Sequence, residues 1–394
     1  MKNENILISG AGIAGLALAF WLKKYGFKPV IVEKAPSLRE GGYMIDFWGV
    51  GFDVAEKMGL LPALEKEHYN IPELVFVDKN NNRIGSLNVY KLRKLINFRH
   101  FNLLRGELAK AIYQGIKNDI EFIWDTSIYS IVQEPDTLHI SFKNDLQRKF
   151  DLLIGADGLH SNIRKLVFGR EENFEKYLGY YTSSFTIENY LNKRDTFYSY
   201  SVPDKQIGIY SISENKLATF FIFRQKEKIF YNHHNSVSAK KLLIDNFKNI
   251  GWESNNILEK MVNAPDFYFD TVSQIDMENW SQGRITLAGD ACQCVSLIAG
   301  QGSALAMAGA YILAGELKKY NGDYVKAFAN YQKMLKLLIS EKQKMAVNFA
   351  GSFVPGSNLG IWFRDKFTNL MFSPLFGKWF LKKFLQDNLI LPDY

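Results

Sequence analysis

Cysteine is almost missing from this chain: 394 residues carry only Cys292 and Cys294, one residue apart. Near neighbours of that kind cannot build a secreted disulfide framework, and a bridge between them would be strained. No uninterrupted apolar run approaches the roughly 20 residues of a membrane span. The opening "MKNENILISG" runs directly into a strand pattern with no apolar signal region. A reducing, cytoplasmic setting is therefore expected, with no stable membrane insertion. Histidine is also sparse, and His100, His139, His160, His233 and His234 show no metal-ligand grouping with cysteine or acids. No G-x-S-x-G elbow supplies a nucleophile. The 48 basic and 41 acidic residues give a net charge of +7, but they are interspersed and form no basic stripe. That excludes a nucleic-acid footprint and leaves an anionic cofactor or substrate as the use of the mild excess.

What the chain does have is aromatic surface: 14% of its residues, with 30 Phe and 20 Tyr. This fits either a broad apolar cleft or a core that uses Phe where others use Leu. The length suits two domains. "ILISGAGIAGLALAFWLKKYGFKPVIVEK" reads as strand, glycine turn, helix, turn at Gly26 and strand, with Leu16, Ala19, Phe20 and Leu22 near a 3.6 period. This βαβ opening argues for a parallel sheet with covered faces.

Short strands follow from Ile71 to about His100, and a helix opens near Arg105 in "LLRGELAKAI". "DLLIGADG" is another buried strand, and residues 175–275 are strand-rich again. "GRITLAGDA" returns to the nucleotide-type pattern, followed by helices from Ser303 to Lys319 and from Tyr324 to about Asn348. The expected fold is α/β: a Rossmann-type dinucleotide domain (1–72, 101–174, 276–320), interrupted by an antiparallel-sheet substrate domain (73–100, 175–275). A helical region (321–394) ends the chain. Its aromatic and basic tail is expected to dock across the two domains rather than lie on a membrane, because Pro374 and Gly377 break any long helix.

Gly10, Gly12 and Gly15 form G-x-G-x-x-G between the first strand and helix. Gly10 permits the sharp turn, Gly12 the approach of a pyrophosphate, and Gly15 close helix–strand packing, with Ala14 between them. The helix N-terminus then offers free N–H groups and a positive dipole end. Glu33, with Lys34 beside it, ends the second strand, where a carboxylate accepts ribose hydroxyls and repels a 2′-phosphate. The bound nucleotide is NAD or FAD.

Two further motifs decide between them. "DLLIGADGLHSNIR" contains Asp157, Gly158, Ser161 and Arg164, and "GRITLAGDA" contains Asp290. With the glycine fingerprint, their order and spacing resemble the group A flavoprotein monooxygenases, the family of para-hydroxybenzoate hydroxylase and the tetracycline destructases. The resemblance covers most of the chain. It implies non-covalent FAD, with Asp290 on the ribityl chain, Arg105 on the flavin side and Asp157 as support where the FAD and NAD(P)H sites adjoin. Gly300 and Gly302 would bring a helix N-terminus to the isoalloxazine ring, where N–H groups stabilise negative charge. It also implies the activity. NADPH or NADH reduces FAD, O₂ adds as a C4a-hydroperoxide, and an electron-rich aromatic or polyketide-like molecule is hydroxylated, by an enzyme that is commonly a monomer.

The chain departs from the family after "GDA", where Ala-His, a Pro-Pro pair and an Asn are usual. Here stand Cys292 and Gln293, Ser296 and Leu297, and Ala304. The two cysteines are expected to act as small buried hydrophobes. In "GGYMIDFWG", Tyr43 and Trp48 occupy places where the destructases carry Gln and Arg, which weakens the case for tetracycline. Asp46, Trp48 and Leu297 are the candidate substrate-binding residues, although Asp46 equally suits the cap of a turn. The rival readings are an FAD-dependent reductase or dehydrogenase without oxygen transfer, and a protein that only sequesters FAD or a ligand.

Overall fold

The computed structural model describes residues 2–39, 42–229, 236–371 and 389–394. His233, His234, Pro374 and Gly377 lie outside them.

The strand Asn5–Ser9 sits centrally in a six-stranded sheet. It pairs in parallel with Lys28–Val32 on one side and Leu152–Gly155 on the other. Glu121–Ile123 and Ile285–Leu287 extend the parallel array, and only Ser281–Gln282 runs antiparallel at one edge. The central strands are buried along nearly their whole length, as expected of a parallel sheet covered on both faces. One cover is the helix Ile13–Lys24, against which Gly302–Lys319 packs. The latter helix is apolar on all sides and almost wholly buried.

A second sheet runs in the order Tyr268–Ile275, Glu175–Ser184, Lys216–Arg224, Lys205–Ser213, Thr196–Val202, Glu73–Val77, Arg83–Asn88. Two distant stretches of chain thus share one sheet. The pairing is antiparallel except at their junction, where Thr196–Val202 runs parallel to Glu73–Val77. No hairpin ties those two strands, so nothing local forces the antiparallel sense.

Three features depart from the sequence reading. Residues 175–275 are not strands throughout: helices Ser236–Phe247 and Ser254–Met261 cover one face of the sheet. A separate three-stranded sheet occupies Ile128–Gln133, Leu138–Phe142 and Gln147–Phe150. The strand Lys28–Val32 ends one residue before Glu33. The aromatic excess serves both roles left open above. Phe221 and Phe223 point to the covering helices, with Phe221 and Phe247 rings 4.9 Å apart at right angles. The alternate residue Phe220 faces a cleft on the other side.

The long helix Tyr324–Phe353 opens on Asp323, whose side chain accepts the Lys326 N–H. The helix Asn358–Met371 lies against Arg83–Asn88, so closely that a Cβ on Gly85 would meet the Asp365 carbonyl oxygen at 2.4 Å. At the chain end, the Tyr394 hydroxyl donates to Glu316 at 2.8 Å. The described tail therefore rests on both the second sheet and the parallel-sheet unit. No helix among the described residues is long and apolar enough to cross a membrane.

Candidate active site

The glycine fingerprint lies where steric demand is greatest. Gly10 has φ +109°, and a Cβ there would sit 2.5 Å from the Ala156 carbonyl oxygen. A Cβ on Gly15 would meet the Gly10 carbonyl oxygen at 2.0 Å. Gly12 lies beside the Arg105 guanidinium, 3.5 Å from where its Cβ would be. Neither Gly12 nor Gln301 caps its helix through a side chain, so the first turns of Ile13–Lys24 and Gly302–Lys319 keep N–H groups open. Both N-termini border the same cleft, together with Ala14 and Arg105. Glu33 accepts from the Ala11 N–H at 2.8 Å and the Ala35 N–H at 2.9 Å, which orients its carboxylate and leaves it further lone pairs. Lys34 is exposed and does not line the cleft.

Asp290 opens a one-turn helix, Asp290–Gln293, behind Gly289 at φ +61°. A Cβ on Gly289 would stand 2.7 Å from that of Ala14, so this loop is pressed onto the fingerprint helix. Burial pushes the Asp290 carboxyl up and the Arg105 charge opposes it. Gly300, left-handed at φ +66°, faces the Trp48 ring, and Gly302 abuts Asp290. These cradles, two open helix N-termini and a nearby guanidinium suit a dinucleotide pyrophosphate and a flavin ring. Burial raises both thiols, and the Cys294 Sγ lies 3.4 Å from the Ser273 carbonyl oxygen. Both cysteines are free and buried, in line with small hydrophobes.

The cleft holds about 520 Å³ and is one continuous space. From the fingerprint side it reaches Phe197, Tyr210 and Phe220 on the second sheet and Phe349 and Phe353 on the long helix. Asp46, Trp48 and Leu297 all line it. Asp46 sits mid-strand in Met44–Trp48, paired with Asn102 of His100–Leu104, so the turn-cap alternative falls. Its Oδ1 accepts from Asn102 Nδ2 and from His100 Nε2. Ser296 has φ +89° and ψ 156°, a region essentially reserved for glycine. A proline, fixed near −65°, cannot adopt it. Losing the family's Pro-Pro pair therefore changes the backbone path as well as a side chain.

The Asp157 carboxylate accepts from Ser161 Oγ and from the Ile163 N–H, anchoring the short helix Asn162–Val167. It does not line the cleft, though Gly158 and Leu159 do. Beside it, two residues of the same motif, His160 and Arg164, join a network whose other members, Glu171 and Asp270, carry no sequence signal. His160 bridges Glu171 at 2.8 Å and Asp270 at 3.1 Å, and Asp270 borders the cleft. The buried Arg164 donates to Glu171, to the Leu159 carbonyl and to the Ala291 carbonyl. The second sheet is thereby tied to the loop after Asp290.

Burial alone would depress the His160 imidazole, but Asp270 and Glu171 raise it from 6.5 to about 10. The folded value lies above the unfolded one, so the stabilisation is complete below pH 6.5 and lost as pH rises through about 10. His160→Gln should cost roughly 1.5–3 kcal/mol at pH 6, and the gap to wild type should close at high pH. Urea unfolding across that range checks this; a gap independent of pH would sink it.

Residues 117–324 match the FAD binding domain family. A flavin-dependent monooxygenase of Legionella longbeachae is 34% identical over 396 residues, covering 100% of this chain and 99% of its own. The chain belongs to the flavin-dependent monooxygenases. Among solved structures, the tetracycline destructase Tet(51) superposes with TM-score 0.87 at 33% identity, and Tet(55) with 0.85 at 35%, each covering both chains fully. The monooxygenase is thus an oxidoreductase with FAD as its cofactor, and the reductase-only and sequestering readings give way to it. Asn102, Tyr268 and Asp270 also line the cleft, with His100 against Asp46, and the sequence reading singled out none of them as site candidates. Alternation in "HFNLL" places His100 and Asn102 on one strand face and could have flagged them; nothing local marks Tyr268 or Asp270.

Proposed function

We propose that this monooxygenase transfers one oxygen atom from O₂ to a planar, polycyclic phenol or polyketide, with NADPH or NADH as reductant, as a cytoplasmic monomer. Gly10, Gly12, Ala14, Gly15, Glu33, Arg105, Asp290, Gly300 and Gly302 hold FAD, with Asp157 as support. The observation that carries the reading is the single cleft joining the fingerprint to an aromatic sheet face. When bound, FAD takes electrons from the nicotinamide and reacts with O₂. The chain positions both reactants and keeps water out, the task for which Phe197, Phe220, Phe349 and Phe353 are suited. Tyr43 and Trp48 stand where the family resemblance implies Gln and Arg in the destructases, which lowers the case for tetracycline without removing it, so tetracycline is tried beside other polycyclic phenols.

The test is anaerobic addition of NADPH to the yellow protein, then admission of ¹⁸O₂ with tetracycline and a panel of polycyclic phenols. The flavin bands should bleach and return, and one product should carry a single ¹⁸O atom. Turnover of NADPH with no label in any compound would instead describe a reductase.

A further inference from the structure

We infer that the Asp46 end of the cleft is a hydrogen-bond-accepting pole that seats an ammonium group of the substrate. This rests on the polycyclic-substrate reading. It adds an orientation: the cationic end of the molecule is held at this strand pair.

The strand pair Met44–Trp48 and His100–Leu104 separates its residues by alternation. Ile45, Phe47, Phe101 and Leu103 are buried in the core, while Asp46, Trp48 and Asn102 face the cleft. In a cleft lined mainly by apolar side chains, the Asp46 carboxylate keeps 54% of its side-chain surface open. Its partners fix its chemistry. A carboxylate only accepts, so the Asn102 amide must turn Nδ2 toward it, and His100 must carry a proton on Nε2.

That arrangement leaves atoms over. Asn102 is 3% exposed, yet its Oδ1 is buried with no partner among the described residues. His100 Nδ1 and Trp48 Nε1 are in the same condition. A role confined to joining two strands, which the backbone ladder already joins, would leave no such set of open atoms. Asp46, Asn102 and Trp48 all line the cleft, so an accepting carboxylate, a buried amide oxygen without a partner among the described residues and an indole stand together at its wall. A carboxylate with an amide oxygen and an indole face suits an ammonium, through charge-assisted hydrogen bonds and cation–π attraction.

The test uses holoenzyme, tetracycline as probe and its analogue lacking the dimethylamino group, with binding read from the change in flavin absorbance. Wild type should bind tetracycline about tenfold more tightly than the analogue, the scale of one charge-assisted hydrogen bond. Asp46→Asn, which keeps the shape, should erase that preference by weakening tetracycline alone. Equal binding of the two compounds to wild type, or an equal loss of both in Asp46→Asn, would overturn the pole and leave the polycyclic reading standing. Binding of neither compound to wild type would also overturn the pole, and would leave the polycyclic reading to the ¹⁸O₂ experiment with the wider panel. Should Asp46→Asn not fold, the wild-type comparison of the two compounds still decides.

Discussion

Gly15→Ala is expected to yield a protein that purifies without flavin. The added Cβ would lie 2.0 Å from the Gly10 carbonyl oxygen, a backbone atom that no rotamer change can move. The helix Ile13–Lys24 must slide away from the strand Asn5–Ser9, and its N-terminal N–H groups leave the pyrophosphate position. We expect FAD affinity to fall by at least about 100-fold, or about 2.7 kcal/mol, measured by the ratio of flavin to protein absorbance and by titration with FAD. Gly351→Ala is the matched control. Its Cβ meets open space within the helix Tyr324–Phe353, so flavin content should not change and stability should rise by roughly 0.5–1 kcal/mol. Full flavin occupancy in Gly15→Ala would show that the fingerprint tolerates a displaced helix.

Arg164→Met is expected to be the most destabilising single change outside the glycine turns. Arg164 is 0% exposed, and its side chain reaches Glu171 and two carbonyl oxygens, those of Leu159 and Ala291. Removing the guanidinium leaves Glu171 to His160 and strands the Leu159 and Ala291 carbonyl oxygens, at a cost of about 1–3 kcal/mol for each stranded group. Because the Ala291 carbonyl belongs to the loop that begins at Asp290, flavin binding should weaken as well. Arg164→Lys should not rescue it, since one ammonium cannot serve three acceptors arranged for a planar fork. Urea unfolding of the two variants, with flavin content followed in parallel, checks both effects. A loss under 1 kcal/mol in Arg164→Met would mean that neighbouring groups re-pair without the guanidinium.

Gly10, Gly12, Gly15, Glu33 and Asp290 stand out from the sequence because their work is local. A tight turn, an open helix end and a terminal acid are each written in consecutive residues, and each imposes its own steric or electrostatic condition. The same holds for the buried strands "ILIS" and "DLLIG", whose unbroken apolar runs admit only a covered parallel sheet. The helix Ser236–Phe247 was less legible. It lies among strands of similar composition, and its buried face is defined by residues distant in the chain, Phe221, Phe223 and the helix Ser254–Met261 among them. Asp46 was visible, but its role was ambiguous until Asn102 and His100, more than fifty residues away, were seen to grip it.

By itself, the sequence determined the dinucleotide fingerprint, the order of the three nucleotide motifs and the α/β class. These depend on spacing along the chain, which backbone sterics translate directly into turns and helix starts. Tertiary structure alone decided the continuous cleft, the Asp270–His160–Glu171–Arg164 tie and the grip of Asn102 and His100 on Asp46. Each brings together side chains from strands and loops far apart in sequence. Such pairings are fixed by sheet register and by the burial of unlike charges, and neither leaves a periodic trace along the chain.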